Sequence, residues 1–161
     1  MKQKNKNKDT HNIYNSLLDK ITNFLKFSAG RDEKLLRICK MLHDNIPHYD
    51  WVGFYIADEK KQTLSLGPFS GEPTEHTKIK FGEGICGQAA QKKDIFIVQD
   101  VSKEENYLSC SPAVKSEIVL PIFKEGKIVA ELDIDSHSKS PFTEEDEIFL
   151  NKICEMVAFL F

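Results

Sequence analysis

Between Ser116 and Ser136 the chain alternates in a way that only a β-sheet can use. In Lys127 to Asp135, Ile128, Ala130, Leu132 and Ile134 occupy every second position, and Glu131, Asp133 and Asp135 stand among the positions between them. Successive side chains of a strand point to opposite faces, so the aliphatic set lines a core and the acids gather on the other side. Ser116 to Phe123 repeats the pattern, with Ile118, Leu120 and Ile122 on one face and Glu117, Val119 and Pro121 on the other. The Glu125-Gly126 pair between the two segments is a hairpin turn. An alternating charged strand usually exposes its charges, and Glu131 is expected to be solvated. Glu117, Asp133 and Asp135 are candidates for a polar site.

The flanking segments have a different period. From His11 to Ser28, Ile13, Leu17, Leu18, Ile21, Phe24 and Leu25 recur at helical spacing, and Leu35, Leu36, Ile38, Cys39 and Leu42 repeat the pattern up to Pro47. The period then changes from 3.6 to 2. Val52, Phe54 and Ile56 face a core, while Trp51, Gly53 and Tyr55 face a pocket. A turn at residues 58–61 leads to Thr63 to Leu66 as a hairpin partner, and Gly67-Pro68 and Gly71-Glu72-Pro73 punctuate a loop. Further strands are predicted at roughly His76 to Phe81 and at Ile95 to Val98, with a short helix from Ile85 to Gln91 between them. Residues 99–115 form a long loop. After Pro141, Thr143 caps a last helix whose first turn carries Glu144, Glu145 and Asp146. Its stripe is Phe149, Ile153, Val157 and Leu160. The expected architecture is α+β, a largely antiparallel sheet with two N-terminal helices and one C-terminal helix on its aliphatic face and a ligand pocket on the other.

At 161 residues the chain fits one domain, predicted over residues 11–161 after a Lys/Asn-rich disordered tail over residues 1–10. A net charge of −3 supplies no basic field for nucleic acid, and no apolar run approaches the roughly 20 residues of a membrane span. The N-terminus MKQKNKNKDT lacks an apolar h-region, so a cytoplasmic location is expected, where cysteines are reduced, catalytic or buried.

Of the four cysteines, Cys39 and Cys154 fall at apolar helical positions and are assigned to the core. Cys86 follows a glycine turn, and Cys110 sits in a polar loop beside Ser111 and Pro112. On the residues alone Cys86 is as readily a small packed side chain as a redox thiol, and Trp51 and Tyr55 are as readily core aromatics as pocket walls. His76 and His137 read as surface residues. No close-spaced Cys or His pair marks a zinc motif, so no metal is expected. Two cysteines on turns and a cluster of carboxylates are the parts of thiol redox chemistry on a polar small molecule, which calls for an acid that holds its proton near neutral pH. Clustered carboxylates repel one another and provide one.

From about Trp51 to Phe161 the chain resembles a GAF domain, and specifically the free methionine-(R)-sulfoxide reductase branch of that superfamily. The resemblance is carried by WVGFY (51–55), LGPFSGEP (66–73), GEGICG (82–87), QDV (99–101), Cys110 through KSEIVLPI (115–122), LDIDS (132–136) and FTEEDEIFL (142–150). It implies reduction of free methionine-(R)-sulfoxide, with no bound cofactor and with thioredoxin as electron donor. Cys110 matches the nucleophile and Cys86 a resolving cysteine. Glu117, Asp133 and Asp135 match the acids lining the pocket, and Trp51 and Tyr55 its aromatic wall. Two positions depart from the pattern: His76 stands where the family usually has a third cysteine, and YLSCS (107–111) replaces the usual GHIACD. The alternative is a non-catalytic GAF module that binds a small ligand or senses redox state through Cys86 and Cys110. The exposed helical layer suggests a homodimer.

Overall fold

The computed structural model describes the backbone of residues 2–109 and 111–161, with side chains from Asp9 onward. Cys110 therefore lies outside the described residues. Helices α1 (Lys2–Leu25) and α2 (Arg31–Asn45) lead into the hairpin β1 (Trp51–Asp58) and β2 (Thr63–Ser70). After β3 (Lys78–Lys80), α3 (Gly84–Lys92) and β4 (Phe96–Val98) comes the predicted long loop, interrupted by a 3-10 turn at Val101–Lys103. The hairpin β5 (Ser116–Lys124) and β6 (Lys127–Ser136) and the helix α4 (Glu144–Val157) complete the fold. The six strands form one antiparallel sheet in the order β3-β2-β1-β6-β5-β4.

The period change at Trp51 divides the interior as expected. Val52 and Phe54 of β1 join Ile118, Leu120 and Ile122 of β5 and Ala130, Leu132 and Ile134 of β6 in a core covered by α1, α2 and α4. Cys39 and Cys154 are buried in it. Trp51 and Tyr55 belong to a second cluster on the opposite face, with Ile85, Cys86, Ala89 and Ala90 of α3. The sheet is thus covered on both faces, and α3 is the lid of the second.

α4 starts at the predicted Thr143, and the cap is reciprocal. The Asp146 N–H donates to Thr143 Oγ1 at 3.4 Å, and Asp146 Oδ2 accepts from the Thr143 N–H at 2.8 Å. The other carboxylate oxygen of Asp146 accepts from the Tyr14 hydroxyl at 2.7 Å and the Tyr49 hydroxyl at 2.8 Å, and lies 2.9 Å from His48 Nε2. One carboxylate therefore ties α1, the α2–β1 connection and α4 together. Burial alone would disfavour its charge, but the hydrogen bonds from His48, Tyr14 and Thr143 outweigh that penalty and hold it below the ordinary aspartate range.

Four expectations are corrected. The backbone is helical from Lys2 rather than a disordered tail over residues 1–10, because extending a helix already nucleated by an amphipathic segment costs little per residue. β2 runs on through Gly67-Pro68 to Ser70, with a register shift between Gly53 and Tyr55 taking up the irregularity. Ile128 packs in the second cluster, not the first. The ladder pairs Ile122 with Ala130 but Phe123 with Ile128, so the extra residue Val129 reverses the alternation at that point. Glu131 is not solvated but 0% exposed. The reading had assumed an open acidic face, and α3 covers it.

Candidate active site

Three elements bring the acids and one thiol together. Glu117 of β5 is paired with Asp135 of β6, and Val119 with Asp133, so the hairpin register sets Glu117, Asp133 and Asp135 on the α3 side of the sheet. α3 drops Cys86 onto them: Cys86 Sγ is 3.7 Å from Glu117 Oε1, and one ligand atom each from Cys86, Glu117 and Asp133 lie within 4.8 Å of one another. The approach requires Gly87, where a Cβ would stand 2.4 Å from the carbonyl oxygen of Lys80. Asn106 fixes the start of α3 by accepting from the Gly84 N–H at 3.0 Å and donating to Gly82 O at 2.8 Å. Nothing in the spacing of the sequence had singled Asn106 out.

The aromatic wall lies beside this cluster. The Trp51 ring stacks on Phe69 with centroids 5.5 Å apart, and its Nε1–H donates to Glu72 O at 3.0 Å. Gly53 makes room for it, since a Cβ there would come within 2.2 Å of the indole. Tyr55 donates its hydroxyl hydrogen to His76 O at 2.9 Å, anchoring the loop that leads to β3. Two pockets result. One, of about 100 Å³, is bounded by Trp51, Asp135, Asp50, Glu72, Ser111 and His137. The other, of about 10 Å³, is bounded by Tyr55, His76, Cys86, Leu108, Glu117 and Asp133. Of the predicted site residues, Trp51 and Asp135 thus line the larger pocket and Tyr55, Cys86, Glu117 and Asp133 the smaller. Ser111 lines the first and Leu108 the second, and His76 Nε2, at the second, lies 3.1 Å from Ser109 O.

Asp50, Glu72 and His137 are additions that sequence reasoning missed as pocket residues. Asp50 Oδ2 accepts from the His137 N–H at 2.7 Å, and the Asp50 N–H donates to Asp135 O at 2.9 Å. No sequence pattern marked them; in the structure the pairing of Trp51 with Asp135 places the residue preceding Trp51 at the same edge.

The electrostatics follow from burial. Glu117, Glu131, Asp133 and Asp135 are each at most 6% exposed, and among the described residues none forms an ion pair. Desolvation, then repulsion from Asp133 and Asp135, pushes the Glu117 carboxyl well above its ordinary range. Desolvation raises Asp133 to about 7. Glu131 and Asp135 are raised by burial first and by Asp133 second. Burial and the same acids hold Cys86 as a neutral thiol. Both carboxyl oxygens of Glu131 and Asp133 Oδ1 are buried without a hydrogen-bond partner among the described residues. The site therefore stores protons at neutral pH beside a thiol, which is the requirement for protonating a leaving oxygen.

The GAF domain family model matches residues 31–160. Free methionine-R-sulfoxide reductase of Escherichia coli (strain K12) is 32% identical over 145 residues, 90% of this chain and 82% of that protein. GAF domain-containing protein A of Dictyostelium discoideum is 38% identical over 144 residues, 89% of each chain. Among solved structures, free methionine-R-sulfoxide reductase from Neisseria meningitidis, in complex with its substrate, superposes with a TM-score of 0.86 at 32% identity, covering 92% of this chain and 87% of that one. The residue pattern, the fold and these likenesses agree, and the chain belongs to the GAF domain family, in the group that includes the free methionine-R-sulfoxide reductases.

Proposed function

We propose that this chain reduces free methionine-(R)-sulfoxide to methionine, with Cys110 as nucleophile, Cys86 as resolving thiol and thioredoxin as the cytoplasmic reductant. The observation that carries the reading is the buried group of proton-holding acids beside Cys86, one of which, Asp135, pairs with Glu117 and lines a pocket walled by Trp51. Asp135, with Asp50 and Glu72 at the same pocket, offers carboxyl oxygens that accept hydrogen bonds from a substrate ammonium. The Trp51 ring offers a face for the S-methyl group, where sulfur–aromatic contact is favourable.

In the first half-reaction the Cys110 thiolate attacks the sulfoxide sulfur while Glu117 or Asp133 protonates the oxygen. The S–O bond of the substrate breaks, methionine leaves with the sulfur electron pair, and the oxygen passes to the Cys110 sulfur, giving a sulfenic acid. The Cys86 thiol then attacks the Cys110 sulfur, water departs and a disulfide forms. Cys86 has to lose its proton in that step, and Glu117 Oε1, 3.7 Å from its sulfur, is the acceptor once it has given its own proton to the substrate. Thioredoxin returns two electrons and two protons.

The test is NADPH consumption with thioredoxin and thioredoxin reductase on free methionine-(R)-sulfoxide, the S epimer and a peptide-bound sulfoxide. Turnover confined to the free R epimer, and abolished in Cys110→Ser, is expected. Absence of methionine even in a single turnover of pre-reduced protein would refute the reductase and leave a ligand-binding GAF module.

A further inference from the structure

We propose that Cys86, Glu117 and Asp133 form a site for one thiophilic divalent cation of the Zn²⁺ type, and that the bound ion arrests the chemistry of the pocket. Three rigid elements, α3, β5 and β6, each contribute one ligand. The three donor atoms lie within 4.8 Å of one another, in residues that are all buried. Zinc bonds of about 2.3 Å to sulfur and about 2.1 Å to oxygen in a tetrahedral site set the sulfur and oxygen about 3.6 Å apart. The Cys86 Sγ to Glu117 Oε1 distance is 3.7 Å. This edge of the site therefore needs no rearrangement.

Two independent observations point to a ligand here. Asp133 is 2% exposed, and its Oδ1 has no hydrogen-bond partner among the described residues. A buried oxygen in that condition is costly unless something satisfies it. The cavity touching Cys86, Glu117 and Asp133 is about 10 Å³, room for a single water-sized sphere and so for one ion held by the three side chains. His76 lines the same cavity. The donor set decides the metal: a thiolate with carboxylates suits Zn²⁺ or Co²⁺, whereas Mg²⁺ and Ca²⁺ take all-oxygen shells. No Cys or His spacing announces the site, because its ligands converge only through the sheet register and the seating of α3.

Binding is proton exchange without electron transfer. The Cys86 S–H bond, directed at Glu117, breaks and the sulfur bonds to the cation; the thiol proton and those held by Glu117 and Asp133 leave to solvent. The arrest, which rests on the proposed reductase activity, has two parts: Glu117 and Asp133 can no longer protonate a sulfoxide oxygen, and Cys86 can no longer resolve.

The site is tested without substrate. Co²⁺ titrated into the reduced, chelator-treated full chain should give an ultraviolet sulfur-to-cobalt charge-transfer band that saturates at one equivalent, is lost on adding Zn²⁺ and is unaffected by excess Mg²⁺. Cys86→Ser should remove the band, Cys110→Ser should retain it, and Asp133→Asn should weaken binding about tenfold or more. The absence of a band in protein with unchanged circular dichroism would overturn the site. So would a band that survives Cys86→Ser and disappears in Cys110→Ser. Saturating Zn²⁺ should stop single-turnover methionine formation until a chelator is added. Undiminished turnover with the band displaced would overturn the arrest, whereas a band in a protein without any reductase activity would keep the site and remove the enzyme.

Discussion

Replacing Asp133 by asparagine should flatten the pH dependence of this protein's stability. Desolvation raises the Asp133 carboxyl from 3.8 in the open chain to about 7 in the fold. A carboxyl raised in the folded state binds its proton more tightly there than in the unfolded chain. Its contribution is therefore fully present below the unfolded value and is lost as pH rises through the folded one. At about 1.36 kcal/mol per pKa unit the difference is about 4 kcal/mol, lost between roughly pH 4 and pH 7 at close to 1.4 kcal/mol per pH unit. Glu117, Glu131 and Asp135 are raised as well and add to the decline in the same direction. Asparagine keeps the shape and removes the proton. The assay is urea unfolding at pH 4.5, 6 and 7.5 with a chelator present, comparing midpoints at constant slope. The wild type should lose several kcal/mol across that range relative to the variant. Profiles that run parallel to within about 1 kcal/mol would refute the reasoning, because Asp133 would then be ionised without penalty in the fold.

Three further outcomes follow from the same structure. Asp146→Ala should destabilise the protein by roughly 5 kcal/mol, since it strands the buried Tyr14 and Tyr49 hydroxyls and removes a cap; a loss below about 2 kcal/mol in urea unfolding would mean that the hub is replaceable. Glu131→Met should stabilise by about 1–3 kcal/mol at pH 7, because the two carboxyl oxygens it removes have no partner among the described residues. Destabilisation in thermal and urea melts would count against that. Cys86→Ser should still form one equivalent of methionine in a quench experiment but recycle slowly with thioredoxin, and turnover at the wild-type rate would take Cys86 out of the mechanism.

Much of this was legible because local chemistry and tertiary context agreed. Thr143, followed by three acids, caps α4 as written. The change of period at Trp51 divides the two cores, and the Glu125-Gly126 turn fixes the register that puts Glu117 beside Asp135. The misreadings have separate physical roots, the first being that alternation does not tell what covers a face. Glu131 has the neighbours of a solvated strand residue and is buried on the face covered by a helix that ends at Lys92, far earlier in the chain. Ile128 was misplaced by a single bulged residue, and bulges leave no mark in a hydrophobic pattern. Asp50, Glu72 and Asn106 became visible only when the loops closed over the sheet.

The ladder between β1 and β6 joins Trp51 to Asp135 across a long interval of sequence. Pairings so distant in the chain are made only after the intervening segment has been drawn into place. Trp51 is also the single tryptophan of the chain. The protein thus carries its own optical reporter at the seam: intrinsic fluorescence reads the joining of the first strand to the last, and a solute entering the larger pocket perturbs the same indole. Stopped-flow emission can therefore time pocket assembly and ligand entry in unlabelled protein, with no competing tryptophan to subtract.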